Sequence, residues 1–176
     1  RYVNVENFPL KHKIRIQIQE SGLLGVADGI IAHNPIMKSV LVDKGVEAEK
    51  IVSLGIFDYL IPNFQEKTGL TKNQPIIVAG NLAQEKAGYL YSLPEEPAYN
   101  LYGVGFDESR ALANETYFGS FLPDELPAAL EGGFGLVWDG DSAATCSGVF
   151  GEYLRYNNSH KASLYLAAGF PVVVWE

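Results

Sequence analysis

The sequence contains little cysteine, little histidine and no long hydrophobic run. Its 176 residues include one cysteine, Cys146, so no internal disulfide can form. The three histidines, at positions 12, 33 and 160, are too far apart to match a zinc-binding spacing. The longest apolar run, residues 164–168, is far shorter than the ~20 residues that a membrane-spanning helix needs. We therefore expect no disulfide scaffold, no zinc module and no membrane span in this sequence.

Basic residues are also scarce. The chain has 13 Lys and Arg against 21 Asp and Glu, which gives a formal net charge of -8. A nucleic-acid-binding domain normally carries a basic surface, so we expect no nucleic-acid partner. A hydrophobic fraction of 47% and an aromatic fraction of 12% are typical of a globular chain. The single cysteine and the lack of a signal-peptide pattern favour a cytoplasmic protein.

The first part of the chain alternates helix and strand patterns. Asn34 followed by Pro35 is typical of a helix start, and Gly45 of a helix end. Isoleucines alternate with polar residues over 14–18, which is the period of a strand, although the composition also tolerates a helix. The other elements predicted here are a short helix at 20–27 and strands at 29–33 and 51–55.

A second alternation follows residues 62–74, a segment without a periodic core face that we interpret as an interdomain linker. Strands that alternate with helices imply βαβ units and a parallel sheet. Several of these strands are apolar on consecutive residues, which suits strands covered on both faces. The pattern therefore predicts an α/β fold. The predicted strands are 76–79, 99–104, 116–121, 134–138 and 172–175, and the predicted helices are 82–92, 124–131 and 159–168.

The start of the last predicted helix is a candidate anion site. Ser159 can cap this helix, and Lys161 falls in its first turn. Free backbone N–H groups and the helix dipole attract anions there, and a lysine adds a full positive charge. A cation at this end opposes the dipole unless an anion is bound. The alternative is a solvent-exposed lysine beside an ordinary capping serine.

Two other stretches have weaker signals. Gly80 and Asn81 follow a predicted strand, where a glycine lets a ligand approach the backbone, but a plain tight turn explains them equally well. Asp139 and Asp141 could hold a divalent metal through their carboxylates, or could simply favour a turn. Cys146 has no neighbouring base, and no GxSxG motif is present, so hydrolase chemistry has little support.

Four stretches carry a family resemblance. The stretch NNSHKASLYLAAGFPVVVW resembles the donor-site helix and following strand of GT-B glycosyltransferases. Three others are similar to bacterial glucosyltransferase 3-like and β-1,6-galactofuranosyltransferase-like proteins. These are GIIAHNPIMKSVLVDKGVEAEKIVSLGIFDYL, YFGSFLPDELPAAL and GFGLVWDGDSAATCSGVFGEYLRYNNSHK.

The resemblance implies two Rossmann-like domains of the GT-B type. Residues 1–61 would end the N-terminal, acceptor-side domain, 62–74 would be the linker, and 75–176 would form most of the donor domain. The implied activity transfers glucose, galactose or galactofuranose from a UDP-sugar to a glycan or glycoprotein acceptor in bacterial surface glycan synthesis. No metal cofactor is expected. Because intact members are about twice as long, the chain is expected to be a fragment without turnover of its own.

The resemblance also implies a set of donor-binding residues. Lys161 would pair with the donor diphosphate, and a glycine turn would lie below the phosphates. Tyr117 or Phe118 would contact the uracil or the ribose. No catalytic base is implied. The remaining implied donor-binding residues are Asn157, Ser159, His160, Gly80, Asn81 and Glu176.

Two other functions stay open at the sequence level. A sugar-nucleotide epimerase shares the same architecture, and a non-catalytic donor-like domain could stabilise another transferase. The aromatic residues leave room for a homo-oligomer, although no interface can be placed. Peripheral attachment to the inner face of the membrane is also left open.

Overall fold

The computed structural model describes residues 9–62, 64 and 66–175. Two compact units are present. The first contains the described residues up to Ile56 together with Arg155–Asn158. The second contains Phe57–Leu154 and the residues from Ser159 onward. Of the implied donor-binding residues, Glu176 lies outside the described part of the chain.

The first unit is a small helix and strand assembly. Its two strands are parallel and pair Ile30 with Ile51. A small core holds Ala32, Met37, Leu41 and Ile51. The elements are α1 (Leu10–Val26), β1 (Ile30–Ala32), α2 (Pro35–Asp43), a 3-10 turn (Ala48–Lys50) and β2 (Ile51–Ser53).

The two helices of this unit match the sequence analysis to different degrees. The predicted start of α2 is confirmed, because Asn34 Oδ1 accepts a 2.9 Å hydrogen bond from the Met37 N–H. At residues 14–18 the helical alternative holds, and the separate helix predicted at 20–27 is part of the same α1. None of the α1 side chains is buried, so the alternating isoleucines have no sheet face to cover. Arg15 and Gln17, the long-chain residues between them, favour a helix.

The second unit is built on a five-stranded, entirely parallel sheet. The strand order is β5-β4-β3-β6-β7. The strands are β3 (Ile76–Asn81), β4 (Tyr99–Val104), β5 (Glu115–Tyr117), β6 (Phe134–Val137) and β7 (Val172–Val174). The helices are α3 (Gln84–Ala87), α4 (Leu126–Ala129), α5 (Gly148–Tyr153) and α6 (His160–Ala167), with 3-10 turns at Gly88–Ser92 and Glu108–Arg110.

This strand order is that of a Rossmann-like fold, and it confirms the predicted α/β class. From β3 the chain builds outward through β4 to β5, and then crosses back to place β6 on the other side of β3. The order therefore reverses between β3 and β6. In open α/β sheets, ligands bind beyond the carboxyl ends of the strands at such a switch point.

Hydrophobic side chains cover both faces of the sheet. On one face Ile77, Ala79 and Tyr165 belong to one buried cluster. On the other face Val78 and Leu136 belong to a second cluster. Consecutive residues of β3 thus enter opposite cores, which explains why this strand is apolar without alternation.

Helices in the second unit are shorter than predicted. The helix expected at 82–92 is a four-residue α3 followed by the 3-10 turn Gly88–Ser92. The helix expected at 124–131 is reduced to Leu126–Ala129. Gly88 interrupts the first segment, and Pro127 at the start of the second helix disfavours its extension toward the N-terminus. The strand predicted at 116–121 is confined to β5, and α5 has no counterpart among the predictions.

No helix within residues 9–62, 64 and 66–175 is both long and apolar enough to cross a bilayer.

Candidate functional site

Lys161 lies at the switch point of the sheet. Its ammonium donates to the Trp138 carbonyl oxygen at 2.8 Å and to Asp139 Oδ1 at 2.7 Å, directly after β6. On the β3 side, a Cβ atom added to Gly80 would lie 3.4 Å from Lys161 Cε. The Lys161 side chain thus joins the carboxyl ends of the two strands between which the order reverses.

The start of α6 places this lysine as the sequence predicted. Ser159 is the N-cap, and its hydroxyl accepts a 3.2 Å hydrogen bond from the Lys161 N–H. The cap satisfies one of the free N–H groups of the first helical turn. Lys161 is therefore fixed by its own backbone as well as by its ammonium group.

A buried carboxylate is shared by two lysines at this point. Asp139 Oδ1 pairs with Lys161 at 2.7 Å, and Asp139 Oδ2 lies 3.9 Å from the Lys86 ammonium. The side chain of Asp139 is 7% exposed, that of Lys161 11% and that of Lys86 30%. With all three groups ionised, the cluster carries one positive charge in excess, which suits an anionic ligand.

Burial and neighbouring charges together set the pKa of this lysine. Desolvation lowers the pKa of Lys161, the Asp139 carboxylate opposes that effect, and the nearby Lys86 adds to it. Burial also raises the pKa of the Cys146 thiol, which lies near the same carboxylate. Cys146 is therefore a buried neutral thiol at neutral pH.

A second side chain of α6 reaches the end of β3. Tyr165 is fully buried, and its hydroxyl oxygen accepts a 2.7 Å hydrogen bond from the Ala79 N–H. Tyr165 lies four residues after Lys161, so both side chains project from the same face of the helix. Its ring also lies against Gly135, where a Cβ atom would come within 2.1 Å. Residue 135 therefore has to be glycine for α6 to pack at this distance.

The other predicted site residues are placed as follows. His160 begins α6, and its ring stacks on Phe57 with centroids 4.1 Å apart. Asn81 ends β3, and its Oδ1 accepts a hydrogen bond from the Ala83 N–H at 2.9 Å. Asn157 belongs to the first unit. The structure therefore brings Ser159, Lys161 and Gly80 together at the switch point.

The aromatic residues predicted to contact the nucleotide lie farther along the sheet. Tyr117 ends β5, an edge strand separated from β3 by β4. Its hydroxyl donates to the Gly103 carbonyl oxygen at 2.7 Å. Phe118 stacks on Tyr102 with a centroid separation of 4.8 Å. Lys161 lies at the ends of β3 and β6, and neither of these strands is a neighbour of β5. The contact of Tyr117 or Phe118 with a nucleotide therefore stays a prediction.

Asp139, one of the two aspartates that could hold a divalent metal, lies among lysines. The Asp139 carboxylate is engaged by the two lysines. Across residues 9–62, 64 and 66–175, no group of three or more His, Cys, Asp or Glu side chains is arranged to hold a metal ion. The observed chemistry of this turn is that of an ion-pair network.

Comparison with known proteins assigns this chain to a family. Residues 76–176 match the sequence model of the glucosyltransferase 3-like C-terminal domain. This match spans more than half of the chain. The chain belongs to the glucosyltransferase 3-like family. Residues 4–56 match the N-terminal domain of the same family, as the sequence resemblance had indicated.

Two curated relatives of this glucosyltransferase 3-like chain are named as glycosyltransferases. The beta-1,6-galactofuranosyltransferase WbbI of Escherichia coli (strain K12) is 41% identical over 163 residues, covering 89% of this chain and 47% of the relative. Glucosyltransferase 3 of Streptococcus gordonii is 29% identical over 151 residues, covering 84% of this chain and 42% of the relative. The chain thus spans about half the length of the curated relatives it matches.

Three residues of the site were not found by sequence reasoning. Asp139 was considered only as a metal ligand or turn residue, and Lys86 and Tyr165 were not considered. A usable signal existed for Asp139, because it follows a buried strand whose end borders the switch point. A second existed for Tyr165, which follows Lys161 at the spacing of one helix face.

Proposed function

We propose that this glucosyltransferase 3-like chain forms the donor site of a hexosyltransferase that uses a UDP-sugar. The observation that carries the proposal is the Lys161 ammonium, held between the carboxyl ends of β3 and β6. The acceptor would be a glycan or glycoprotein. The glycosyltransferase names of both relatives support this reaction class.

The proposed chemistry needs a cation where a phosphate leaves. When the bond between sugar and nucleotide breaks, negative charge develops on the β-phosphate of UDP. Preorganised N–H donors and a lysine in a water-poor site stabilise such charge. The first turn of α6 and Lys161 provide both, so the donor diphosphate would lie against this turn.

The other parts of the donor site follow from the resemblance. Ser159, His160 and Asn157 would line the diphosphate pocket, and Gly80 and Asn81 would lie below the phosphates. Tyr117 would contact the uracil or ribose, and Glu176 the sugar. The GT-B type, the lack of a metal cofactor, the cytoplasmic location and the domain limits at 61 and 75 stay predictions.

A melting experiment tests the donor proposal. UDP at ~1 mM should stabilise a site of ~10 µM affinity by about 2.7 kcal/mol. For a chain of this size, the melting temperature should rise by several degrees. AMP is the control, because it offers a phosphate without uracil or a diphosphate. A clean transition that UDP does not move more than AMP would contradict the proposal.

A transfer assay tests the enzyme class. The full-length protein, incubated with UDP-glucose, UDP-galactose or UDP-galactofuranose and a glycan acceptor, should form a glycosylated product with at least one donor. UDP binding without transfer or donor turnover in the full-length protein would instead support the non-catalytic partner function.

A further inference from the structure

Asp139 is a buried carboxylate with an unusual position. It directly follows β6 at the switch point, and its side chain is 7% exposed. A buried charge is costly unless it is paired, and here two lysines pair with it. Asp139 therefore contributes more than turn chemistry.

The backbone holds this carboxylate in place. Gly140 has a φ of +115°, and a Cβ atom there would come within 2.1 Å of the Ser147 carbonyl oxygen. The Gly140 N–H donates to the Lys86 carbonyl oxygen at 2.8 Å, and the Gly140 carbonyl oxygen accepts from the Tyr89 N–H at 3.1 Å. These bonds attach the turn that carries Asp139 to the residues that follow β3.

We propose that Asp139 is a positioning residue for Lys161, holding its ammonium charged and in place at the end of β3 before the donor binds. The inference rests on the proposed function for the role of Lys161 and adds the group that controls it. An ammonium has three N–H donors. Among the described residues, two are used by Trp138 and Asp139, which leaves one for a phosphate oxygen without breaking the ion pair.

Three titratable groups act on Lys161 within the described residues. Asp139 favours its charged form, the nearby Lys86 disfavours it, and Cys146 has a smaller effect. Because burial raises the pKa of Cys146, its thiol is neutral at neutral pH, and the main balance lies between one carboxylate and one lysine. Asp139→Asn and Lys86→Gln should therefore move the titration of Lys161 in opposite directions.

A direct titration tests this inference. The pH dependence of the Lys161 side-chain NMR signals, assigned with Lys161→Arg, is compared among variants of the full-length protein. In D139N, Lys161 should lose its proton at lower pH than in the wild type. In K86Q it should do so at higher pH. Asp141→Asn is the matched control from the same turn and should leave the titration unchanged.

The outcomes separate this inference from the donor proposal. UDP affinity is measured on the same samples across the same pH range. If D139N lowers both the pH at which Lys161 loses its proton and the pH at which UDP affinity falls, both proposals hold. If the titration is the same in wild type and D139N, the positioning role is overturned whatever UDP does. If the titration shifts but no variant binds UDP, the donor proposal fails while Asp139 still controls Lys161. If D139N does not fold, K86Q supplies the test. An unchanged titration of Lys161 in K86Q would overturn the arrangement in which Lys86 and Lys161 share the Asp139 carboxylate.

Discussion

Lys161 is the residue on which the proposed donor site depends. It is one of two lysines around a buried carboxylate, and burial lowers its pKa. An anion site built on a buried lysine depends on pH, because the charge that binds the ligand is also the charge that burial disfavours.

The affinity for UDP should therefore fall as the pH rises. Because burial lowers the pKa of Lys161, the fall should begin below the ordinary lysine value of 10.5. The last pKa of a phosphate monoester is about 6, so the phosphates of UDP are mostly ionised at pH 7 and gain little further charge above it. Titration calorimetry between pH 7 and 10 measures the effect. In Lys161→Arg the guanidinium stays charged, so the part of this dependence that comes from Lys161 should be absent. Any titration of UDP itself remains in both proteins.

The lowered pKa of Lys161 also affects the free energy of unfolding. Between the lowered pKa of Lys161 and 10.5, the unfolded chain binds more protons than the folded chain. The contribution of Lys161 to the free energy of unfolding therefore rises with pH across that interval.

Sequence reasoning found Lys161 but not its counter-ion. The Ser159 cap and the lysine that follows form a local pattern, which a single stretch of sequence contains. Asp139 is 22 positions away and meets Lys161 only because α6 packs across the ends of β3 and β6. That contact depends on strand order, which no local pattern specifies.

At the scale of elements, Tyr165 joins α6 to β3. Tyr165→Phe would leave the buried Ala79 N–H without its acceptor, which should reduce the free energy of unfolding by about 1–3 kcal/mol. Tyr89→Phe is the matched control, because Tyr89 is also fully buried but its hydroxyl has no hydrogen-bond partner among the described residues. Urea denaturation should show Y89F as stable as the wild type or more so. Equal losses in both variants would contradict the role of the Tyr165 hydroxyl.

The close approach of α6 to β6 predicts a second difference. In Gly135→Ala, the added methyl group would meet the Tyr165 ring at 2.1 Å, so the variant should lose about 1–3 kcal/mol or more. Gly25→Ala in α1 meets no atom within 4 Å and should gain about 0.5–1 kcal/mol from helix propensity. Thermal unfolding of both variants gives the comparison. A stable G135A would show that α6 can move away from the sheet.

The elements themselves were predicted to different degrees. Strands such as β3 and β7 were found because they are apolar on consecutive residues. Helix lengths were overestimated where glycine or proline interrupts the segment, as at Gly88–Ser92 and Leu126–Ala129. The sheet order could not come from periodicity, because it depends on which strand each crossover joins.

At the scale of the whole molecule, the net charge and the local charge at the switch point have opposite signs. The net charge of -8 would repel a polyanion over the surface as a whole. Locally, the two lysines exceed the single carboxylate at the switch point. The account therefore predicts selective binding of a small diphosphate and no binding of nucleic acid. A filter-binding assay with single- and double-stranded DNA should detect none under conditions in which UDP binds.

Calorimetric titration of UDP into wild type and Lys161→Ala at neutral pH tests the central claim most directly. Hydrogen bonds to a charged partner contribute about 1.5–3 kcal/mol, so K161A should bind UDP about 10- to 100-fold more weakly. Lys72→Ala, at an exposed position of the same unit, should bind like the wild type, and all three proteins should melt cooperatively. Equal UDP affinity in wild type and K161A, or no UDP binding by the folded wild type, would contradict a donor site at the switch point.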